Sequence, residues 1–329
     1  MSDVARLARV STQTVSRVSM GADNVRPATR EKVLRAMDQL GYSPNRAAQA
    51  LRRGTFNTIG VLTQQIHRTG EALTTAGVLE AATAARYTVS LVQVEHPESE
   101  DMREAVHRLS HQTIDGLVVV QAGRAGLRHL ALPPSLPVAV SDSALVDYYP
   151  SASADQVGGV RDAVGHLLAL GHRTVHHVSG PEGSQSALIR KATWAACLRE
   201  AGALVPEPVL GDWEAAAGYK AGLHLAADPD VTAVFCGNDE VALGLIRAMH
   251  EQGRRVPQDV SVVGFDGLDL GEYSFPPLTT IRQDFKRHGR EMVGLVLEQV
   301  TTGPVDGSRS VIIPTELVLR GSTAPPPTR

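Results

Sequence analysis

From residue 58 to about 320, short β-branched runs alternate with helical stretches, and this alternation limits the fold more than any other feature of the chain. The runs are Asn57 to Leu62, Thr88 to Val94, Gly116 to Val120, Pro137 to Ser141, Thr174 to Ser179, Val231 to Cys236 and Val260 to Phe265. Their spacing is that of βα units, which build parallel sheets covered by helices. Gly116-Leu117-Val118-Val119-Val120 and Ser261-Val262-Val263-Gly264-Phe265 are apolar throughout, as strands buried between two helix layers must be. Parallel doubly wound sheets bind ligands beyond the carboxyl ends of their strands. Asp142 follows the fourth run, Asn238-Asp239 the sixth and Asp266 the seventh, so these polar ends are expected to converge on one cleft.

The same periodicity suits a dinucleotide enzyme, but the chain has no GxGxxG and no P-loop. Its nearest approach to a phosphate cradle, Gly180-Pro181-Glu182-Gly183-Ser184, places an acid where an anion would sit. Gly158-Gly159 and Gly264-Phe265-Asp266-Gly267 supply turns but no nucleophile elbow, so no catalytic set and no cofactor are expected. His166, His172, His176 and His177 cluster in sequence, yet His176 and His177 are adjacent in a strand and face opposite ways; no metal site is expected. Cys197 and Cys236 lack ligand spacing and read as buried thiols in a reducing compartment. No stretch approaches the roughly 18 apolar residues that span a bilayer, and the start Met1-Ser2-Asp3-Val4-Ala5-Arg6 lacks an apolar signal core. The expectation is a cytoplasmic protein without a membrane partner.

Charge separates the chain into two regions. Residues 1–54 hold ten basic and four acidic side chains, a net of +6, so the remainder carries −9 of the total of −3. A basic head on an acidic body points to a polyanion partner for the head alone. Ser2 is expected to cap a short helix with Val4, Leu7 and Ala8 on one face, ending near Arg9. Ser11 is expected to cap a second helix, Thr12 to Ser19, with Val15 and Val18 inward. Thr12, Gln13, Ser16 and Arg17 project from its other face, where Gln suits adenine, Arg suits guanine and Thr either. A third helix, Thr29 to Leu40, carries Val33, Leu34, Met37 and Leu40 at helical spacing and stops at Gly41. The Ala-rich stretch Asn45 to Gly54 has almost no apolar surface to dock and would be marginal as an isolated helix.

The run Asp3-Val4-Ala5 through Val10-Ser11-Thr12-Gln13-Thr14-Val15-Ser16-Arg17-Val18, with Thr29-Arg30-Glu31-Lys32-Val33, Gly41-Tyr42-Ser43-Pro44-Asn45 and Ala48 to Leu51, resembles the lactose-repressor/galactose-repressor (LacI/GalR) family. Gly165 to His172, Ser186 with Arg190 and Trp194, Gly211-Asp212-Trp213, Gly237 to Gly244, Asp259 to Asp266 and Pro276 to Phe285 extend the resemblance over the body. It implies an α/β protein with an all-α helix-turn-helix at 1–43 and a hinge helix with linker at 44–57. A two-lobed, doubly wound, periplasmic-binding-protein-like domain follows at 58–320, with crossovers near 153, 283 and 313. A disordered tail, 321–329, is expected after it. The resemblance further implies that Thr12, Gln13 and Arg17 read bases in the major groove, with Thr14, Ser16, Asn45 and Arg46 also on the DNA and Leu51 wedged into the minor groove. Two features depart from the family pattern: it carries two or three residues more before Asp3, and glycine where Arg9 stands.

Position by position, the resemblance makes Asp142, Arg190, Trp213, Asn238, Asp266 and Phe285 the effector contacts. Two carboxylates, an amide and a guanidinium offer the paired acceptors and donors that vicinal hydroxyls require, and Trp213 can cover the C–H face of a pyranose. A phosphorylated ligand would meet Asp142 and Asp266, so the expected effector is a neutral saccharide, a β-galactoside or a disaccharide. Where lactose-type members line the facing lobe with small apolar residues, this chain has Gln64, Arg68, Gly70 and Glu71. The implied function is a homodimeric repressor of operator DNA, released by its sugar. The alternative is a corepressor-type regulator of the same family with a nucleobase or other non-sugar effector. A solute receptor would need a signal peptide in place of the basic head, and a sugar enzyme would need Asp142 or Asp266 to act as base or nucleophile.

Overall fold

A computed structural model describes the chain except for residues 21, 23, 43–54, 95–103, 106, 110–113, 121–131, 134, 142–144, 147, 304, 306 and 329. Asn45, Arg46, Leu51 and most of the expected hinge, as well as Asp142, lie outside the described residues. The chain divides into two compact units, Met1–Asn57 and Thr58–Arg329.

The first unit is built from α1 (Ser2–Ala8), α2 (Thr12–Ser19) and α3 (Pro27–Gln39). Val4, Ala5 and Ala8 of α1 meet Val15 and Val18 of α2 and Val33, Ala36 and Met37 of α3 in one small core. Ser11 caps α2 as expected, its Oγ accepting the Thr14 N–H at 3.1 Å. Ser2 does not cap α1; Met1 holds the cap position and Ser2 is already helical. Helix α3 begins two residues before Thr29 because Pro27 has the fixed φ of a first helical turn and no N–H to satisfy. Gly41, at φ 56°, ends it. Leu7, Leu34 and Leu40 are exposed rather than in the core, since the i, i+3, i+4 set Val33, Ala36 and Met37 already fills the contact face.

The second unit holds two six-stranded sheets. In the first, β1 (Thr58–Thr63), β2 (Thr88–Gln93), β3 (Gly116–Val119), β4 (Val138–Val140), β5 (Ser151–Ala154) and β11 (Ser310–Ile313) run in the order β11-β5-β4-β3-β1-β2. In the second, β6 (His176–Ser179), β7 (Val209–Leu210), β8 (Ala233–Cys236), β9 (Ser261–Asp266), β10 (Thr279–Arg282) and β12 (Glu316–Val318) run β12-β10-β9-β8-β6-β7. Every pairing is parallel except β10 with β12. Alternate residues of one strand enter opposite cores: Leu117 and Val119 join one cluster of the first sheet and Val118 the other. Phe235 and Cys236 divide likewise across the second sheet. Both faces of each sheet are therefore buried, which is why the runs read as continuously apolar.

The chain crosses between the sheets three times. It leaves β5 for α5 (Gln156–Ala169), whose Val160 to Leu167 pack in the second lobe, and leaves β10 for α9 (Phe285–Thr302), whose Met292 to Val296 pack in the first. It crosses again between β11 and β12. Five strands went unread in the sequence. Ser151-Ala-Ser-Ala lacks β-branched residues, β7 and β12 are two and three residues long, and β10 and β11 lie in mixed polar stretches.

The expected disordered tail is corrected over its first part. Ser322 is fully buried; its Oγ donates to the Val262 carbonyl at 2.6 Å and accepts the Thr279 N–H at 2.8 Å. The Ala324 N–H donates to Ser261 Oγ at 3.0 Å. The segment supplies hydrogen-bond partners to an otherwise buried sheet end, and such partners hold a chain whatever its composition. Cys197 and Cys236 are free and buried, and burial pushes both thiols up from their ordinary pKa. Among the described residues no helix is long and apolar enough to cross a membrane.

Candidate functional site

The first unit presents one polar helix face. Thr12, Gln13 and Arg17 of α2 are exposed together while Val15 and Val18 are buried behind them. Ser16 is half-buried, and Thr14 is turned to the cap, its hydroxyl 2.9 Å from Ser11 Oγ. The turn that sets α2 against α1 runs through Arg9, at φ 53° and ψ 47°. An arginine thus stands in the left-handed conformation glycine adopts without strain, at a cost of roughly 1 kcal/mol.

In the second unit a cleft of about 570 Å³, its open mouth included, lies between the lobes. Five of the six effector contacts expected from the resemblance line it: Arg190 from α6 (Gln185–Glu200), Trp213 after β7, Asn238 after β8, Asp266 at the end of β9 and Phe285 at the start of α9. The four from the second lobe converge because parallel strands all point their carboxyl ends the same way. Phe285 arrives by a different route. Gly77 of α4 (Thr69–Ala84) lets α9 approach so closely that an added Cβ would stand 2.7 Å from the Phe285 carbonyl oxygen.

The second-lobe wall is tightly bonded. Arg190 Nε donates to Gln156 Oε1 at 2.7 Å, a second guanidinium nitrogen donates to the Gly237 carbonyl at 2.5 Å, and the third lies 3.6 Å from Asp266 Oδ1. The guanidinium carbon sits 3.7 Å from the centre of the Phe265 ring and 5.4 Å from that of Trp213. Asp266 has a φ of 115°, rare for a residue with a side chain, and its Oδ1 accepts Gln283 Nε2 at 2.7 Å. Asn238 Nδ2 donates to the Trp213 carbonyl at 3.0 Å, while its Oδ1 caps α8 (Asp239–Glu251) by accepting the Val241 N–H at 2.9 Å. Behind them Asp239 is completely buried and accepts the Thr280 hydroxyl at 2.5 Å and the Leu268 N–H at 2.7 Å. Burial, and then the neighbouring Asp266 carboxylate, push its pKa up to about 7. The backbone of Gly180 lies directly under the Trp213 ring, so the glycine-rich loop serves stacking and not a phosphate.

The first-lobe wall includes Arg68, Thr69, Gly70, Glu71, Thr74 and Val120. Thr69 Oγ1 donates across the cleft to Glu240 Oε1 at 2.5 Å. Gln64, expected on this wall, does not line the cleft; its N–H donates to Glu71. Sequence reading also passed over Glu240, Gln283 and Gln156. The run Asn238-Asp239-Glu240 just after a strand was the available signal for the first, whereas nothing local marks Gln156 and Gln283, at the crossings expected near 153 and 283, as the partners of Arg190 and Asp266. The clustered histidines bond elsewhere. His172 lies within 3.1 Å of Thr232 Oγ1, Ser261 Oγ and the Ala324 carbonyl, and His177 lies 2.9 Å from the Phe235 carbonyl. Among the described residues no group of three side chains is placed to hold a metal.

Residues 1–45 match the bacterial regulatory proteins of the lacI family, and residues 164–323 match a periplasmic binding protein-like domain. The lactose operon repressor of Escherichia coli K12 is 35% identical over 99% of this chain and 91% of its own length. A crystal structure of the Lac repressor dimer bound to operator and the anti-inducer ONPF superimposes with a TM-score of 0.88 at 35% identity, covering 98% of each chain. The complex of the transcriptional regulator CelR with cellobiose superimposes with a TM-score of 0.74 at 29% identity, covering 97% of this chain and 98% of the other. A helix-turn-helix with its polar face outward, a two-lobed body with an interlobe cleft and relatedness along nearly the whole chain give one conclusion: the chain belongs to the LacI family of bacterial regulatory proteins.

Proposed function

We propose that this regulator is a DNA-binding transcriptional repressor whose operator affinity is set by a small neutral saccharide held between the lobes, and that the sugar releases it from DNA. The observation that carries the reading is the second-lobe wall, where Arg190, Asp266 and Asn238 present paired donors and acceptors beside the Trp213 ring. Vicinal hydroxyls take such pairs, and an indole covers the apolar face of a pyranose. Carboxylates outnumber guanidinium groups in the lining, with Glu71, Glu240 and Asp266 against Arg68 and Arg190, which disfavours an anionic ligand. Asp142 completes the set by family resemblance.

In this reading residues 1–43 bind DNA through Thr12, Gln13, Thr14, Ser16 and Arg17, and Asn45, Arg46 and Leu51 act from a hinge segment at 44–57. The protein works as a homodimer in the cytoplasm. Leu270, Tyr273 and Phe275, 64%, 80% and 88% exposed, form an apolar group on one loop of the second lobe that a second copy would cover. Two copies place two reading helices on a palindromic operator. The sugar bridges the lobes, and operator affinity falls by the ratio of its affinities for the two lobe arrangements. No residue is assigned a catalytic role.

Fluorescence anisotropy of a labelled palindromic operator from upstream of the gene, in about 0.1 M salt, tests this. Tight binding reversed by one member of a panel of galactosides, glucosides and β-linked disaccharides is the expected result. Binding tightened by the sugar would make the protein a corepressor. Conversion of the sugar, lost in Asp266→Ala, would make it an enzyme.

A further inference from the structure

On the first-lobe wall, Arg68 lines the cleft half-buried, and its guanidinium makes no hydrogen bond or ion pair with any described residue. Burial lowers its pKa, opposed by the charges of Glu71, Asp212 and Glu214 around it. Three residues further, Glu71 is 96% buried, since only 4% of it is exposed. Its carboxylate is used on one side only. Oε2 accepts the Thr63 hydroxyl at 2.6 Å, the Gln64 N–H at 3.0 Å and the Gln65 N–H at 2.7 Å, whereas Oε1 has no partner. A buried carboxylate oxygen without a donor is costly, and natural sites keep such a group where a ligand or ordered water supplies the missing bond.

Arg68 is the N-cap of α4 and Glu71 its third residue, across the cleft from Arg190 and Trp213. One offers spare donors and the other a spare acceptor. An apolar substituent on the sugar would strip water from the Arg68 guanidinium and leave Glu71 Oε1 without a donor. A second sugar ring, with adjacent hydroxyls that both donate and accept, satisfies the pair. Resting on the saccharide reading above, we propose that Arg68 and Glu71 form a second-ring subsite that selects a neutral disaccharide over glycosides with apolar aglycones. The surplus of carboxylates sets the ring neutral, because a uronic acid would meet Glu71, Asp212 and Glu214 around one arginine.

Isothermal titration calorimetry on the full-length protein decides the matter, with lactose and cellobiose each set against the methyl and isopropyl β-glycosides of its non-reducing ring. The proposal expects one disaccharide to bind at least about tenfold more tightly than the matching isopropyl glycoside, the scale of one charge-assisted hydrogen bond. Arg68→Met weakens that disaccharide about tenfold and the methyl glycoside by less than about threefold. Glu71→Gln, whose amide can still accept from its neighbours, moves the same ratio in the same direction. Cellobiouronic acid binds more weakly than cellobiose. An isopropyl glycoside that matches the disaccharide, or an Arg68→Met loss equal for both sugars, overturns the subsite while leaving the saccharide reading intact. Failure of every sugar to bind overturns both.

Discussion

The two walls of the cleft are built on opposite principles. In the second lobe the side chains that face the ligand are held in place before it arrives: Arg190 by Gln156, Gly237 and Asp266, Asp266 by Gln283, and Asn238 by Trp213 and the α8 cap. In the first lobe Arg68 and Glu71 Oε1 have bonding capacity to spare. A wall whose side chains are fixed before the ligand arrives loses little entropy on binding and supplies affinity. A wall with unsatisfied groups supplies discrimination, because the wrong ligand leaves those groups buried and unpaired.

Breaking the committed wall has the largest expected effect. Asp266→Ala leaves the buried Arg190 guanidinium without its carboxylate, and thermal or urea melts should show a loss of about 3–5 kcal/mol together with all sugar response. If stability is unchanged, the wall is not the coupled network described. Asp239→Asn tests the layer behind it. The carboxyl of Asp239 has a folded pKa near 7, above its ordinary 3.8. Its protonation therefore stabilises the fold. That stability is complete below about pH 4 and is lost as pH rises through about 7. The wild type should melt at a lower temperature at pH 8 than at pH 5, and Asp239→Asn should flatten that difference. Trp213→Ala sharpens the comparison from the ligand's side, with an expected loss of about 1–1.5 kcal/mol in sugar affinity by calorimetry and little change in operator binding without sugar. Smallest is Arg9→Gly, outside the cleft. Relief of the left-handed arginine should stabilise the helical unit by roughly 1 kcal/mol in melts of the full chain.

Much of this was legible in the sequence where one residue type forces one geometry. Ser11 before a helix, Gly41 after one and the apolar runs of β1, β3, β8 and β9 follow the local pattern, whereas Ser2, read by the same rule, is already helical. Legibility failed where the partner is distant in sequence. Nothing near Ser322 announces that it will satisfy Val262 and Thr279, and nothing near Gln283 announces Asp266. The site shows the same division. Polar residues at strand ends could be found because parallel topology gathers them, whereas the spare capacity of Arg68 and Glu71 depends on which neighbours happen to bond Oε2 and not Oε1.

Linkage between the two units tests the central claim most directly. The affinity of the responding sugar is measured calorimetrically on the free protein and again on the protein saturated with operator. Thermodynamic reciprocity requires the sugar to bind the operator complex more weakly by the same factor by which it weakens operator binding, and a factor of about 5–150 is expected. Equal affinities in the two titrations would mean that the cleft does not control the DNA-binding unit, and the account would be wrong.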